Sequence, residues 1–276
     1  MEADKIMILK SPAKLNLFLN IVSKRDDGYH NIETYFQFVN LYDQITIQEI
    51  GGKEIKFNTN SRTLLGSDNL CLKAALILKD YIKKKSLPAV SIDLEKKIPI
   101  GGGLGGGSSN AASVLLGLNK MWDCNLEKDE LIKLGSKLGS DVPVFVNGFS
   151  AYAEGTGNKL IKYDFEKKYF LIIDPGIQVS SKIMYEKFKI KDCIKRINLD
   201  NMHQNIGFNS FESLLCENYS EIRKILDILR NHDNGYVSGS GGCIFSIFDT
   251  ESQAINALKN IPNKYQTYIV HSLKKI

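Results

Sequence analysis

Residues 13–22 alternate strictly, with Ala13, Leu15, Leu17, Leu19 and Ile21 on one face and Lys14, Asn16, Phe18, Asn20 and Val22 on the other. This period of two predicts a β-strand with one buried face, whose second face lifts Lys14 and Asn16 together. The polar stretch Lys24-Arg25-Asp26-Asp27-Gly28-Tyr29-His30 follows, with Asp-Gly as a turn signal. Residues 35–41 and 44–50 read as two strands, and Gly51-Gly52 as a hairpin turn before a strand at 54–58. Asp68 or Asn69 caps a helix carrying Leu70, Ala74, Ala75, Leu78 and Tyr81, and Pro88 closes the connection after it.

Val90, Ile92, Leu94 and Ile98 predict a strand ending at Pro99. Six glycines lie between Gly101 and Gly107, broken only by Leu104. Ser108, Ser109 and Asn110 then supply capping side chains for a helix on which Ala112, Leu115, Leu116 and Asn119 recur. A further helix covers 126–138, with Leu131, Leu134 and Leu138 inward and Gly139 as its stop. Residues 144–146 and 150–153 read as strands.

The second half begins around Leu160. A strand at 169–173 is stopped by Asp174-Pro175-Gly176, and helical patterns cover 181–188, 210–216 and 221–229. Strands at 235–238 and 243–248 flank a second glycine cluster, Gly239-Ser240-Gly241-Gly242, expected to face the first half. Thr250 and Gln253 form a capping box for a helix running to Ile261, and 265–271 is the last strand. No internal repeat or low-complexity linker interrupts the pattern.

The length of 276 residues allows one large domain or two ordinary ones, and a composition 43% apolar and 24% charged is that of a folded chain. The net charge of +5 sits in short lysine runs at 83–85, 96–97, 167–168 and 274–275. These read as solvated surface, too scattered to bind nucleic acid, although a mild positive field suits an anionic substrate. The five cysteines (Cys71, Cys124, Cys193, Cys216, Cys243) make no C-x-x-C pair, and His30, His203, His232 and His271 are widely spread. Neither a disulfide frame nor a protein-built zinc site is expected, and reduced thiols point to the cytosol. Residues 1–10 are charged and too poor in apolar positions for a signal peptide, and no stretch is long enough to span a bilayer. The expectation is a cytoplasmic protein that meets no membrane.

Strand, glycine loop and helix start together form an anion cradle, since backbone N–H groups and the positive end of a helix dipole converge there. A phosphate chain is the natural guest. The P-loop pattern G-x-x-x-x-G-K-[ST] fails, because Ser108 stands where its lysine belongs. Gly101, Gly103 and Gly106 satisfy G-x-G-x-x-G, yet the helix leads into another helix and not into the strand a dinucleotide fold requires. Asp141, between Gly139 and Pro143, taken alone is a turn or cap aspartate. Lys14 taken alone is a solvated lysine, but it is the one charge in residues 11–23.

Three stretches taken together resemble the GHMP kinase superfamily: S-P-A-K-L-N-L-F-L with G-Y-H after it, P-I-G-G-G-L-G-G-G-S-S-N-A-A, and G-S-D-V-P-V-F with A-E-G-x-G. The resemblance is specific over residues 11–157 and thinner through Asp174-Pro175-Gly176 and 238–243 to the last strand. Galactokinases and mevalonate kinases of that superfamily are expected to carry G-E-H in the first motif, where this chain has Asn16-Leu17-Phe18-Leu19. Gly242 departs from the serine or alanine expected in the third motif.

The resemblance implies an α+β, two-domain GHMP kinase fold: an ATP-binding, ribosomal-S5-domain-2-like domain at 1–159 and a ferredoxin-like domain at 160–276, with the active site in the cleft between them. It implies an ATP-dependent small-molecule kinase with Mg²⁺ bridging the phosphates. The acceptor alcohol would be a cytidine diphosphate-linked methylerythritol, phosphorylated on its 2-hydroxyl. ATP would lie along Pro99, Ile100, Gly101, Gly102, Gly103, Leu104, Gly105, Gly106, Gly107, Ser108 and Ser109, with Ser108 or Ser109 as candidate metal ligands. Asp141 would be the base and Lys14 its partner; Asn16 would bind the acceptor, and Tyr29, His30 and Tyr185 the cytosine. Tyr185 reads equally as a helix core residue. The alternatives are another GHMP kinase such as homoserine kinase, a non-catalytic nucleotide-binding protein on the same fold, and, third, a dinucleotide-dependent oxidoreductase.

Overall fold

The computed structural model describes residues 5–82, 86–163, 165–189 and 204–276. The lysines at 83–85, Cys193 and His203 lie outside them. The chain forms β1 (Ile6–Lys24), β2 (His30–Ile50), β3 (Ile55–Thr59), α1 (Leu70–Ile82), β4 (Ala89–Glu95), α2 (Gly106–Met121), α3 (Lys128–Ser136), α4 (Val142–Asn147), β5 (Ala151–Glu154) and β6 (Lys159–Lys162). It continues with β7 (Tyr169–Asp174), α5 (Ser181–Lys187), α6 (Glu212–Asn218), α7 (Ser220–His232), β8 (Tyr236–Val237), β9 (Ile244–Phe248), α8 (Glu251–Leu258) and β10 (Gln266–Leu273). The described chain divides into two compact units, and β1 and β2 each contribute residues to both.

One unit takes the residues through Ala13, then Tyr42–Ile98 and Gly106–Gly148. Its β4 pairs antiparallel with β2, from Gln44 opposite Glu95 to Ile50 opposite Ala89, and parallel with β3. Gly51-Gly52 therefore does not close a hairpin, because β3 crosses to the far side of β4 instead of turning back onto β2. β4 stops at Glu95, short of Pro99. Beyond it the carboxylate of Asp43 takes the N–H groups of Lys97 and Ile98, so those amides leave the ladder. Asn69 caps α1, its Oδ1 accepting from the Cys71 N–H at 2.8 Å. Helix α2 begins at Gly106, so Ser108, Ser109 and Asn110 lie within its first turns and not before them. A Cβ at Gly117 would come within 2.7 Å of Ile47 Cδ1, so this glycine lets α2 settle on the sheet.

Residues 144–146 belong to helix α4, not to a strand. Valines beside a phenylalanine look β-forming, but Pro143 opens a helix well and Gly148, at φ 77°, closes one. Every residue from Val142 to Val146 is buried, so packing overrides propensity.

The other unit takes Lys14–Leu41, Pro99–Gly105 and the described residues from Phe149 onward. Its strands run β8-β9-β7-β10-β2, every adjacent pair antiparallel. The β5–β6 hairpin adds to β2 at residues 34–36. Leu19, Ile21, Leu171, Ile173 and Ile244 share one core with residues of α5 to α8. The capping box of Thr250 and Gln253 opens α8 as the sequence predicts.

Strand β1 is buried on both faces from Ser11 to Ile21, not on one. Leu19 and Ile21 enter the helical core, while on the other face Phe18 meets Tyr152 at 6.2 Å between ring centroids. The free edge is covered too: Gly207 donates to Leu17 O, and Leu19 and Ser210 bond to Phe208 O and Leu19 O. Among the described residues, no helix is long and apolar enough to cross a membrane.

Candidate active site

Lys14 is 3% exposed, and an ammonium buried that deeply needs acceptors. Its Nζ donates to Asn16 Oδ1 and to the carbonyl of Gly103 at 2.9 Å, and stands 5.4 Å from the centre of the Phe36 ring. Asn16 in turn donates from Nδ2 to Thr34 Oγ1 at 2.8 Å, and Thr34 donates to Phe18 O. The period-two reading that put Lys14 and Asn16 on one face is thus met by contact between them.

The loop above them, Pro99–Gly105, is held by the second glycine cluster. Ser238 Oγ donates to Gly103 O, and the N–H groups of Gly242 and Cys243 donate to Gly101 O and Gly102 O. A Cβ on Gly241 would sit 2.0 Å from Gly103 N, and one on Gly103 would sit 2.0 Å from Ser238 O. Several of these glycines therefore serve backbone-on-backbone docking between the two loops, a use the sequence reading did not consider. Leu104 is buried, and its carbonyl accepts from the Lys14 N–H. Asn209 fastens the second loop, donating to Val237 O and Gly239 O.

The segment Gly106–Ser109 opens α2 in the other unit. Ser109 Oγ is buried there without a hydrogen-bond partner, while Ser108 is half-buried. Asp141 occupies the N-cap position of α4, yet its side chain makes no cap hydrogen bond. The carboxylate is therefore not spent on the helix end that a lone aspartate before a proline would serve. Lys14 and Asp141 belong to different units.

Tyr29 is 63% exposed at the turn between β1 and β2. Asp27 fixes that turn, accepting from the Tyr29 N–H and from the Arg25 guanidinium. His30 is buried against Tyr185, 5.2 Å between ring centroids at 33°, and edge-on to Phe188. Tyr185 rests edge-on against Phe211 at 4.8 Å, so it is a core residue on one side and a histidine neighbour on the other. Burial lowers the His30 pKa, with the nearby Lys24 charge acting in the same direction, so the ring is neutral at pH 7. Its Nε2 is buried and has no hydrogen-bond partner.

Sequence reasoning missed Asp43, Lys96, Asn110, Ser238 and Asn209 as members of this framework. Lys96 lies in a run read as surface, yet its ammonium reaches Asp43 Oδ2 at 3.0 Å with both side chains buried. Burial lowers the Lys96 pKa against the opposing pull of Asp43. Burial raises the thiols of Cys71, to about 12, and Cys243, which keeps both protonated and un-nucleophilic at neutral pH. Among the described residues, no three His, Cys, Asp or Glu side chains could hold a metal ion. A divalent cation fits best where phosphate oxygens supply most ligands, and the orphaned Ser109 hydroxyl is the protein group that suits it.

Comparison with known proteins bears on the family and the fold. Residues 69–149 match the family described as GHMP kinases N terminal domain, and 190–267 match GHMP kinases C terminal. The chain is 40% identical over 268 residues to the 4-diphosphocytidyl-2-C-methyl-D-erythritol kinase of Wigglesworthia glossinidia brevipalpis, covering 95% of this chain and 87% of that one. It is 37% identical to the protein of that name in Hahella chejuensis, covering 99% and 95%. A crystal structure of 4-(cytidine 5'-diphospho)-2C-methyl-D-erythritol kinase superposes with a TM-score of 0.81 at 27% identity, covering 96% of this chain and 99% of that one. A mevalonate kinase structure superposes at 0.69 with 18% identity, covering 98% and 100%, a likeness of fold alone. The α+β, two-domain architecture expected from the motifs is the one these matches bear out.

Proposed function

The chain belongs to the GHMP kinase family and, within it, to the 4-diphosphocytidyl-2-C-methyl-D-erythritol kinases, and from that premise we propose that it transfers the γ-phosphoryl group of ATP to the 2-hydroxyl of 4-diphosphocytidyl-2-C-methyl-D-erythritol. That step belongs to non-mevalonate isoprenoid precursor biosynthesis. The observation that carries the reading is the buried Lys14 ammonium bound to the Gly103 carbonyl, a fixed cation under a glycine loop.

Phosphoryl transfer asks little covalent chemistry of a protein; positioning and charge stabilisation do most of it. In the proposed reaction the acceptor oxygen forms a bond to the γ-phosphorus while the bond to the ADP oxygen breaks. Asp141 takes the hydroxyl proton. Lys14 stabilises charge on the moving phosphoryl group, held in place by Asn16 and Gly103. Asn16 also hydrogen-bonds the acceptor. The segment from Pro99 to Ser109 holds the ATP phosphates with backbone N–H groups and the N-terminus of α2. Ser108 or Ser109 would hold Mg²⁺, which when bound would supply positive charge to screen those phosphates.

Tyr29, His30 and Tyr185 take the cytosine: the exposed Tyr29 ring offers a stacking face, and the neutral His30 a ring nitrogen for the base edge. The division into an ATP-binding domain at 1–159 and a second domain at 160–276 is part of the same proposal, supported by family matches on either side of residue 160. So is a cytoplasmic setting without nucleic-acid or membrane partners.

Incubating the protein with Mg²⁺, γ-labelled ATP and a panel of alcohols tests the reading. Label should move to the cytidine diphosphate-linked alcohol and not to homoserine or mevalonate. Preferential labelling of homoserine would reassign the acceptor, and ATP binding without transfer to any alcohol would leave a nucleotide-binding protein.

A further inference from the structure

One carboxylate ties together the two ends of the loop assigned above to ATP. Asp43, on β2, is fully buried. Its Oδ1 accepts from the N–H groups of Lys97 and Ile98 at 2.7 and 2.8 Å, immediately before the loop. Its Oδ2 accepts from Asn110 Nδ2 at 2.9 Å, on α2 immediately after the loop. The Lys96 ammonium bonds to the same carboxylate and to Ile98 O. On the outer side, Asn60 Oδ1 accepts from the Lys96 N–H at 2.8 Å and its Nδ2 donates back to Lys96 O. A Cβ on Gly106 would lie 3.1 Å from Lys96 Nζ, so the first residue of α2 rests on that ammonium. All these groups belong to one unit.

We propose that Asp43, with Lys96 and Asn110, is a positioning staple for the phosphate loop, setting nucleotide affinity without touching the nucleotide. The inference rests on the assignment of residues 99–109 to ATP. A buried ion pair is a poor device for stability alone, since desolvation offsets most of its attraction and an apolar pair of similar volume serves as well. It is a good device for geometry, because a carboxylate with four donor groups fixes all of them in direction. It also consumes the Lys97 and Ile98 amides, so the N–H groups that meet phosphate are those further along the loop. Displacing the approach to the loop relative to α2 by even 1 Å would misalign those donors, and such displacements are costly in phosphoryl transfer.

The test compares wild type, Asp43→Asn, Asn110→Ala and the exchange variant Asp43→Asn/Asn110→Asp. Calorimetric titration with Mg²⁺-ATP gives Kd, steady-state assays give the KM of each substrate, and thermal unfolding gives Tm. Asp43→Asn should raise the ATP Kd and KM about tenfold or more, roughly what one lost charge-assisted hydrogen bond changes, while the acceptor KM stays within about twofold. The exchange variant, which restores the amide–carboxylate bond between 43 and 110, should recover part of that affinity. Asn110→Ala leaves Asp43 its ion pair and both amides, so it carries the same test in a milder form if Asp43→Asn does not fold.

Unchanged ATP Kd in folded Asp43→Asn and Asn110→Ala overturns the staple. So does an equal rise in both KM values that follows the loss of Tm, which is the mark of a merely structural pair. If the wild type binds ATP but transfers nothing, the kinase reading fails, and the ATP titrations still decide the staple.

Discussion

A lysine buried in an apolar strand needs acceptors in place of the water it loses, and at Lys14 these include Asn16 Oδ1 and Gly103 O. That residue was legible because it is the one charge among residues 11–23, and Asn16 because a strand repeats its face every second position. Asp43 and Lys96 were not legible. Whether a charge is buried depends on groups such as Ile98 N–H and Asn110, which lie 55 and 67 positions from Asp43 and follow no local period. Tyr29 illustrates the opposite case, an aromatic left exposed on a turn that Asp27 and Arg25 tie with hydrogen bonds. Stacking on one base is worth about 1–3 kcal/mol. Tyr29→Ala should therefore raise the acceptor KM about tenfold and leave the ATP KM unchanged in steady-state assays. A matching rise in both would take Tyr29 out of cytosine recognition.

Among the elements, those with a strong period or a cap were readable: α1 behind Asn69, α8 behind its capping box, β10 from its apolar run. The failures have physical causes. Residues 30–50 form one continuous strand where two are expected at 35–41 and 44–50, because the carboxylate of Asp43 between them is satisfied by the N–H groups of Lys97 and Ile98 and by Asn110. Residues 144–146 are helical because Pro143 and Gly148 frame a buried turn. The glycine-rich loops suggest close approach to a ligand, whereas Gly103 and Gly241 are needed first for packing backbone on backbone, and Gly102 for clearing the Cys243 side chain. At Gly241 a methyl group would meet the backbone of Gly102 and Gly103, which cannot move aside as a side chain could. Gly241→Ala should lower unfolding stability by about 1–3 kcal/mol, the range for overpacking, and should weaken ATP binding by calorimetric titration. Wild-type affinity with wild-type Tm would show that the two loops need not dock.

Across the whole molecule, charge pairing also fixes how stability follows pH. Glu221, on α7, accepts from Lys224, Lys264 and the Tyr265 hydroxyl. Those hydrogen bonds hold its carboxyl at about 2 against an ordinary 4.5. A depressed carboxylate stabilises the fold above its unfolded pKa and loses that contribution as the pH falls through its folded pKa. Wild type should therefore unfold at a higher Tm than Glu221→Gln near pH 7, and the gap should close between about pH 4.5 and 2. A gap that stays constant over that interval would mean the cluster does not couple to folding. The family, the fold class and the reaction were readable from three motifs, since those keep chemistry-bearing residues at fixed spacing; the division of β1 and β2 between two units leaves no local trace in the sequence. The proposed chemistry draws a lysine and an aspartate from separate motifs to move phosphate. Its most direct measurement is the rate of γ-phosphoryl transfer from ATP to 4-diphosphocytidyl-2-C-methyl-D-erythritol by wild type, Lys14→Ala and Asp141→Asn. Turnover in the wild type, with a fall of about 10²-fold or more in each variant and ATP affinity near normal in Asp141→Asn, is the predicted result; variants that turn over as fast as the wild type would contradict it.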